Sequence, residues 1–186
     1  MELPELLDRC RSGDRLAWET LVRQFQGRVY GLARQYASDP EEARDLAQEA
    51  FVRVWRSLNT FRGHETFVSW LLMLTRNLCV DQLRRKAARP PAQDVDSRTA
   101  TGLADPADLP DEELVIARRR SLVQRAIARM TERNREVLIL QEIHGLKVEE
   151  VASILKLPVG TVKSRASRAR IELARTVLEL DPSYQA

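Results

Sequence analysis

Apolar residues recur along the first half of this chain at three- and four-residue intervals, with no run that alternates apolar and polar as a half-buried strand would. Leu3, Leu6, Leu7 and Cys10 predict a helix over about residues 3–11. Ser12-Gly13-Asp14 ends it and starts the next, because Gly accepts a left-handed stop and Asp accepts from free helix N–H groups. A second helix over about residues 15–36 buries Ala17, Trp18, Leu21, Val22, Phe25, Val29, Leu32 and Tyr36, with a polar, basic face opposite. Ser38-Asp39-Pro40-Glu41-Glu42 opens a third: an N-cap, a first-turn proline and two acids at the positive end of the dipole. Its stripe is Ala43, Leu46, Ala47, Ala50, Phe51, Val54, Trp55 and Leu58. A polar loop from Asn59 to His64 carries Phe61, Arg62 and Gly63. The fourth helix, ending near Ala87, sets Phe67, Trp70, Leu71, Leu74, Leu78 and Val80 against Arg76, Asn77, Asp81, Arg84, Arg85 and Lys86. Residues 1–87 therefore predict an all-α bundle of four helices.

Periodicity stops at residue 88. Between Pro90 and Leu114 stand seven acids against one cation, Arg98, among prolines and small residues. This is a flexible linker over 88–110, either solvated spacer or a segment for a basic channel. A second all-α domain is expected over 111–180, with a tail at 181–186. Leu114, Ala117, Leu122, Ala126, Ile127 and Met130 mark its first helix. Thr131 caps the next, where Val137, Leu138, Leu140 and Ile143 are apolar and Gly145 stops it. Two further helices, about 148–155 and 159–178, are joined by Lys156-Leu157-Pro158.

Composition narrows the classes. A chain of 186 residues, 44% hydrophobic, without an apolar run of membrane-spanning length or a signal peptide, reads as a cytoplasmic globular protein without membrane insertion. Two cysteines, Cys10 and Cys79, lack a C-x-x-C partner; they read as small buried hydrophobes, with a redox role as the other reading. Two histidines, His64 and His144, lie in no metal-ligand pattern, and no Walker, G-x-S-x-G or dinucleotide fingerprint is present. No catalytic residue, metal site or cofactor is expected. The net charge of +3 is modest, and its distribution says more.

Three surfaces carry candidate chemistry. The fourth helix and its loop join aromatic rings to cations, as a surface for unstacked bases and their phosphates requires; a plain amphipathic helix with a basic end is the other reading. The third helix shows Asp45, Gln48, Glu49, Val52, Arg53 and Arg56 on its polar face, a solvated face by default or a dock for a basic partner. The third surface is more specific. L-K-V-E-E-V-A-S-I-L-K-L-P-V-G-T-V-K-S-R-A-S-R-A-R reads as a helix-turn-helix. Val151, Leu155, Val162, Ala166, Ala169 and Leu173 face inward and Ala152 sits at the crossing. Thr161, Lys163, Ser164, Arg165, Ser167, Arg168 and Arg175 are left outward for phosphates and base edges. Lys156 takes the turn position that often holds Gly, at a cost of about 1 kcal/mol if left-handed.

P-V-G-T-V-K-S-R-A-S-R-A-R resembles region 4 of the sigma-70 family of transcription initiation factors. D-L-A-Q-E-A-F-V-R-V-W-R and F-V-S-W-L-L-M-L-T-R-N-L-C-V-D-Q-L-R-R-K resemble region 2. With only these two regions and a linker, the chain is similar to the extracytoplasmic-function (ECF) class. The resemblance implies a factor that binds core RNA polymerase, at the β′ clamp helices and the β subunit, and directs it to promoter DNA. It implies that Asp45, Gln48, Glu49, Arg53 and Trp55 grip the clamp helices. Asn59, Thr60, Phe61, Arg62, Trp70, Arg76, Asn77, Asp81, Arg84 and Arg85 would recognise the −10 element and capture a flipped base. Thr161, Lys163, Ser164, Arg165, Ser167 and Arg168 would read the −35 element, the linker would thread toward the RNA exit path, and an anti-sigma partner is implied. A stand-alone helix-turn-helix regulator is the alternative. A nucleic-acid hydrolase is a third class, with Asp45 and Glu49 as its sole candidate metal ligands.

Overall fold

Capping and apolar spacing place the helices well in the computed structural model, which describes residues 2–63, 67–88 and 111–184, the first four of the last range by backbone alone. His64 of the expected loop, the acidic segment over 89–110 and residues 185–186 lie outside the described residues. Among the described residues the fold is all-α, and no helix is long and apolar enough to cross a membrane. The chain divides into two compact units, Met1–Thr99 and Ala100–Ala186.

In the first unit α1 (Leu3–Arg11), α2 (Arg15–Ala33), α3 (Pro40–Ser57) and α4 (Phe67–Ala87) pack around one core. Gly13, at φ +84°, makes the left-handed stop, and the Asp14 carboxylate accepts from the N–H groups of Leu16 and Ala17. Asp39 does the same for Glu41 and Glu42. The second helix ends at Ala33 rather than near Tyr36, its last residues continuing as a hydrogen-bonded turn. Leu7, Leu21, Val29, Val54, Phe67 and Leu71 are fully enclosed, each worth about 1.5–3 kcal/mol in transfer terms. In α4 the inward residues also include Leu72, Cys79 and Thr75, whose hydroxyl donates to the Leu71 carbonyl at 2.8 Å. That bond satisfies a buried polar group, so a threonine occupies a core position that apolar spacing alone misses.

The second unit is built on α8 (Val159–Leu180), against which α5 (Asp111–Arg129), α6 (Glu132–Leu138) and α7 (Val148–Leu155) pack. Between α6 and α7 the chain runs as a π-helical segment, Ile139–Ile143, closed by His144 N–H donating to the Ile139 carbonyl. The wider turn corrects the expected apolar stripe: Leu138, Ile139 and Leu140 are buried in succession, whereas Ile143 rotates out and is 58% exposed. The final helix runs about half a turn beyond residue 178, as α8 reaches Leu180.

Thr131 precedes α6 as expected, but its hydroxyl does not cap the helix. Instead the Glu172 carboxylate of α8 accepts from the Thr131 N–H (2.6 Å), the Thr131 hydroxyl (3.0 Å) and Asn134 Nδ2 (2.6 Å). A carboxylate from another helix thus supplies the acceptor at the positive end of α6. Burial opposes the charge on Glu172, yet these donors hold its carboxyl below the usual range.

Candidate functional site

The polar face of α3 stands clear of the core. Asp45, Gln48 and Glu49 are exposed, Arg53 is half-buried, and Arg53 Nε sits 3.2 Å from Glu49 Oε1. Trp55, expected within the apolar stripe, is 48% exposed, its ring resting edge-on against Trp18 at 4.9 Å. It is an aromatic shelf rather than a core residue. Gln48 also lines a groove of about 550 Å³ between α2 and α3, with Val22, Gln26, Tyr30 and Phe51 among its walls. Sequence reasoning assigned this face to α3 alone. The α2 wall, with Gln26 and Tyr30 one turn apart, emerges only from the packing.

Beyond α3, Asn59, Thr60 and Arg62 point outward, whereas Phe61 is only 8% exposed. Its ring stacks on Trp70 (centroids 4.8 Å apart, planes at 24°) and meets Phe67 at 5.7 Å. Phe61 was expected among the exposed stacking groups of the loop. An aromatic ring at a helix end loses more water contact by joining the core, and here it becomes the loop's anchor. Trp70 is half-buried beside it. Further along α4, Arg76 and Asp81 are half-buried and Asn77, Arg84 and Arg85 exposed; Arg84 lies 3.8 Å from Asp81. Lys86 departs from its neighbours. Its ammonium pairs with Glu42 at 2.6 Å and donates to Ser38 Oγ, tying the end of α4 to the start of α3.

In the second unit α7 and α8 form the expected helix-turn-helix. Lys156 adopts φ +54°, ψ +48°, and Leu157 N–H reaches back to the Ala152 carbonyl, a Schellman closure. Val162, Ala166 and Ala169 face inward, and Leu173 is half-buried. Lys163, Ser164, Ser167 and Arg168 are exposed on the opposite face, with Thr161 and Arg165 half-buried at its margins. Arg168 donates to Ser164 Oγ at 3.3 Å, so its guanidinium already lies along the outer surface. Arg170 is held differently, by two hydrogen bonds to Glu142 of the π segment. The three surfaces thus offer a mixed acidic and aromatic face, a basic helix end beside a polar loop, and a basic recognition helix. The last has the dimensions and donors of a major-groove reader.

Among the described residues no three His, Cys, Asp or Glu side chains converge as metal ligands, and Glu49 is turned to Arg53. Cys10 and Cys79 are both buried. Burial, reinforced by the Glu42 charge, pushes the Cys79 thiol up to about 12.

Comparison with known proteins adds the following. Residues 21–89 match the family model for sigma-70 region 2, and residues 120–173 that for sigma-70 region 4. The chain is 34% identical over 172 residues to the RNA polymerase sigma-H factor of Pseudomonas aeruginosa, covering 89% of each chain. It is 35% identical over 170 residues to the ECF RNA polymerase sigma-E factor of Escherichia coli K12, covering 89% of this chain and 88% of the relative. Among solved structures it is similar to the sigma factor RpoE in complex with the anti-sigma factor NepR from Bartonella quintana. That match has a TM-score of 0.66 and 26% identity, over 88% of this chain and 97% of the other. It is also similar to CnrH in complex with the cytosolic domain of CnrY, with a TM-score of 0.63 and 25% identity, over 95% and 96%.

Proposed function

The chain belongs to the extracytoplasmic-function class of the sigma-70 family, and from that premise we propose how its surfaces divide the work of directing RNA polymerase to promoters. The observation that carries this reading is the order of two matched regions, one in each compact unit, with the exposed Lys163–Arg168 face in the second.

The α3 face, with Asp45, Gln48, Glu49, Arg53 and Trp55, docks the β′ clamp helices of core polymerase, while the second unit engages the β subunit. Trp55 supplies a large rigid apolar surface and the flanking charges set register, the usual division between an aromatic anchor and its polar rim. Asn59, Thr60 and Arg62 of the loop, with Trp70, Arg76, Asn77, Asp81, Arg84 and Arg85, handle the −10 element. Phe61 acts there from beneath, as the anchor of the loop. An extruded base is captured at the loop, and the cations hold the single-stranded backbone. Lys163, Ser164, Ser167 and Arg168, flanked by Thr161 and Arg165, read the −35 element in the major groove.

The assignment by domain is 1–87 for polymerase and the −10 element, 88–110 as linker and 111–180 for the −35 element, with 181–186 as a tail. Polymerase holds the two domains at a fixed spacing, so two weak contacts combine through one scaffold. The chain makes and breaks no bonds, and it acts in the cytoplasm, where polymerase and promoter are. Because both solved structures reported above are complexes with a second chain, one of them described as an anti-sigma factor, this protein too is held inactive by such a partner.

The test is transcription from a promoter library by core RNA polymerase with and without the chain. Initiation confined to promoters sharing two spaced elements, and lost with Arg168→Ala, is the expected result. Duplex binding by the free protein with no effect on polymerase would instead establish a stand-alone regulator.

A further inference from the structure

Arg11 is the last residue of α1, and its side chain is 19% exposed. Its guanidinium spans three acceptors. Nε donates to the Leu58 carbonyl at 3.4 Å, Nη2 to the Phe61 carbonyl, and Nη1 to Asp8 Oδ1 at 2.8 Å. Leu58 is the C-cap of α3, and Phe61 lies three residues further on, inside the loop. Helix ends leave carbonyls without intrahelical partners, and a planar fork of N–H donors suits two of them at once. Inside the same turn, Phe61 N–H donates to the Leu58 carbonyl and Thr60 N–H to that of Ser57. The loop is therefore fastened from two sides, by a cation on its backbone and by the Phe61 ring stacked on Trp70.

We propose that Arg11 is a positioning residue for promoter opening: it holds the Asn59–Gly63 loop in the geometry that receives the extruded −10 base, without contacting DNA or polymerase itself. The inference rests on the role given above to that loop. Asn59, Thr60 and Arg62 can present polar groups to a base only if the backbone between them is fixed, and of the two contacts described above the cation is the one drawn from outside α3 and α4. A charge-assisted bond to a carbonyl at a helix end also compensates the negative pole of the α3 dipole, so a neutral replacement loses more than one ordinary hydrogen bond.

The experiment uses the full chain with core polymerase and compares Arg11→Ala, Arg11→Lys and, as a control for lost surface charge, Arg15→Ala. Arg15 is 90% exposed and touches only α2's own Glu19 among the ion pairs described. Polymerase affinity is measured by competition, and strand opening by 2-aminopurine fluorescence on duplex promoters and on templates already mismatched at −10. Amide exchange of Thr60–Gly63 is followed in the free chain.

For Arg11→Ala, opening on duplex promoters is expected to fall about 10-fold, with polymerase affinity changed less than about twofold and preference among −10 sequences relaxed. Exchange at Thr60–Gly63 rises while that of the α2 and α4 core stays as in wild type. Arg11→Lys recovers part of the opening rate, since an ammonium can serve one carbonyl but not two. Unchanged opening, unchanged −10 preference and unchanged loop exchange in either Arg11 variant would overturn the proposal. If Arg11→Ala lowers helicity or protection throughout the first unit, Arg11→Lys decides alone: wild-type exchange and opening there also overturn it. A wild-type chain that fails to support opening at all, with loop exchange still controlled by Arg11, would sink the promoter reading and leave Arg11 as a purely structural clamp.

Discussion

Phe61 and Trp70 stack at 4.8 Å with their ring planes 24° apart, joining the loop after α3 to the first turns of α4. Truncating either ring leaves a void at a junction that also holds Phe67. Phe61→Ala is expected to destabilise the first unit by about 3–5 kcal/mol, and Trp70→Ala, half-buried, by somewhat less. All three tryptophans of the chain, Trp18, Trp55 and Trp70, belong to this unit, so urea unfolding followed by their fluorescence reads it selectively.

Trp55→Ala separates docking from folding. The ring is half exposed and its packing is mainly the edge contact to Trp18, worth about 0.5–1.5 kcal/mol. Affinity for core polymerase is expected to drop by about 2 kcal/mol or more, as for a buried interface anchor. Competition for polymerase against a labelled wild-type chain, set beside the fluorescence melt, checks both halves.

On the recognition helix the cations should not behave alike. Lys163→Ala and Arg168→Ala are expected to weaken promoter binding by about 1–3 kcal/mol where they meet a base edge, or to reduce the salt slope by about one ion where they meet a phosphate. Arg170→Ala loses its bonds to Glu142, so its effect falls on the stability of the second unit. Salt titrations of holoenzyme on promoter fragments distinguish the three.

Acid should loosen both units. In the first, the Asp14 carboxyl is held low by the Ala17 N–H and by Arg9, and Asp39 by the Glu42 N–H. In the second, Glu172 is held low by Asn134 and Thr131 against the opposing effect of burial. Carboxyls lowered in the native state stabilise fully above their ordinary values, 3.8 for Asp and 4.5 for Glu, and lose that contribution as pH falls through the lower native values. Glu172→Gln is expected to cost about 1–2 kcal/mol at neutral pH and to flatten this acid dependence in the second unit. Amide exchange of α6 from pH 7 downward tests it.

Lys156→Gly should stabilise the helix-turn-helix by about 1 kcal/mol, because a side chain at φ +54° is strained where Gly is not. For a unit of this size the corresponding rise in melting temperature is about 4–8 °C, measurable by circular dichroism.

What could be read from the residues and what could not divides along one physical line. The stop at Gly13, the caps at Asp14 and Asp39 and the inward stripe of α8 follow from rules acting within about a turn of helix and stand as expected, and Lys156, for which the left-handed conformation was left open, adopts it. The departures depend on partners distant in sequence. Glu172 takes its acceptor role only once Thr131 and Asn134, about 40 residues earlier, are folded against it. Phe61 looked like an offered ring because Trp70 lies nine positions away across a loop, and Arg11 gave no signal of its loop contact, since the two carbonyls it bonds there lie about 50 residues on. The outward turn of Ile143 depends on a hydrogen-bond register, i to i+5, that residue types do not encode.

The two cysteines lie on one side of the division between units. Cys10 and Cys79 both belong to the first, and both thiols are raised above their ordinary value by burial, Cys79 to about 12. Both thiols are buried and only the thiolate attacks a maleimide or a disulfide reagent, so labelling of the folded chain is expected to be slow and to report openings of the first unit. The chain thus carries an internal clock for half of itself. Labelling rates taken on polymerase, free in solution and with a regulatory partner bound would rank how firmly each holds that half closed, with no engineered probe and no signal from the other half.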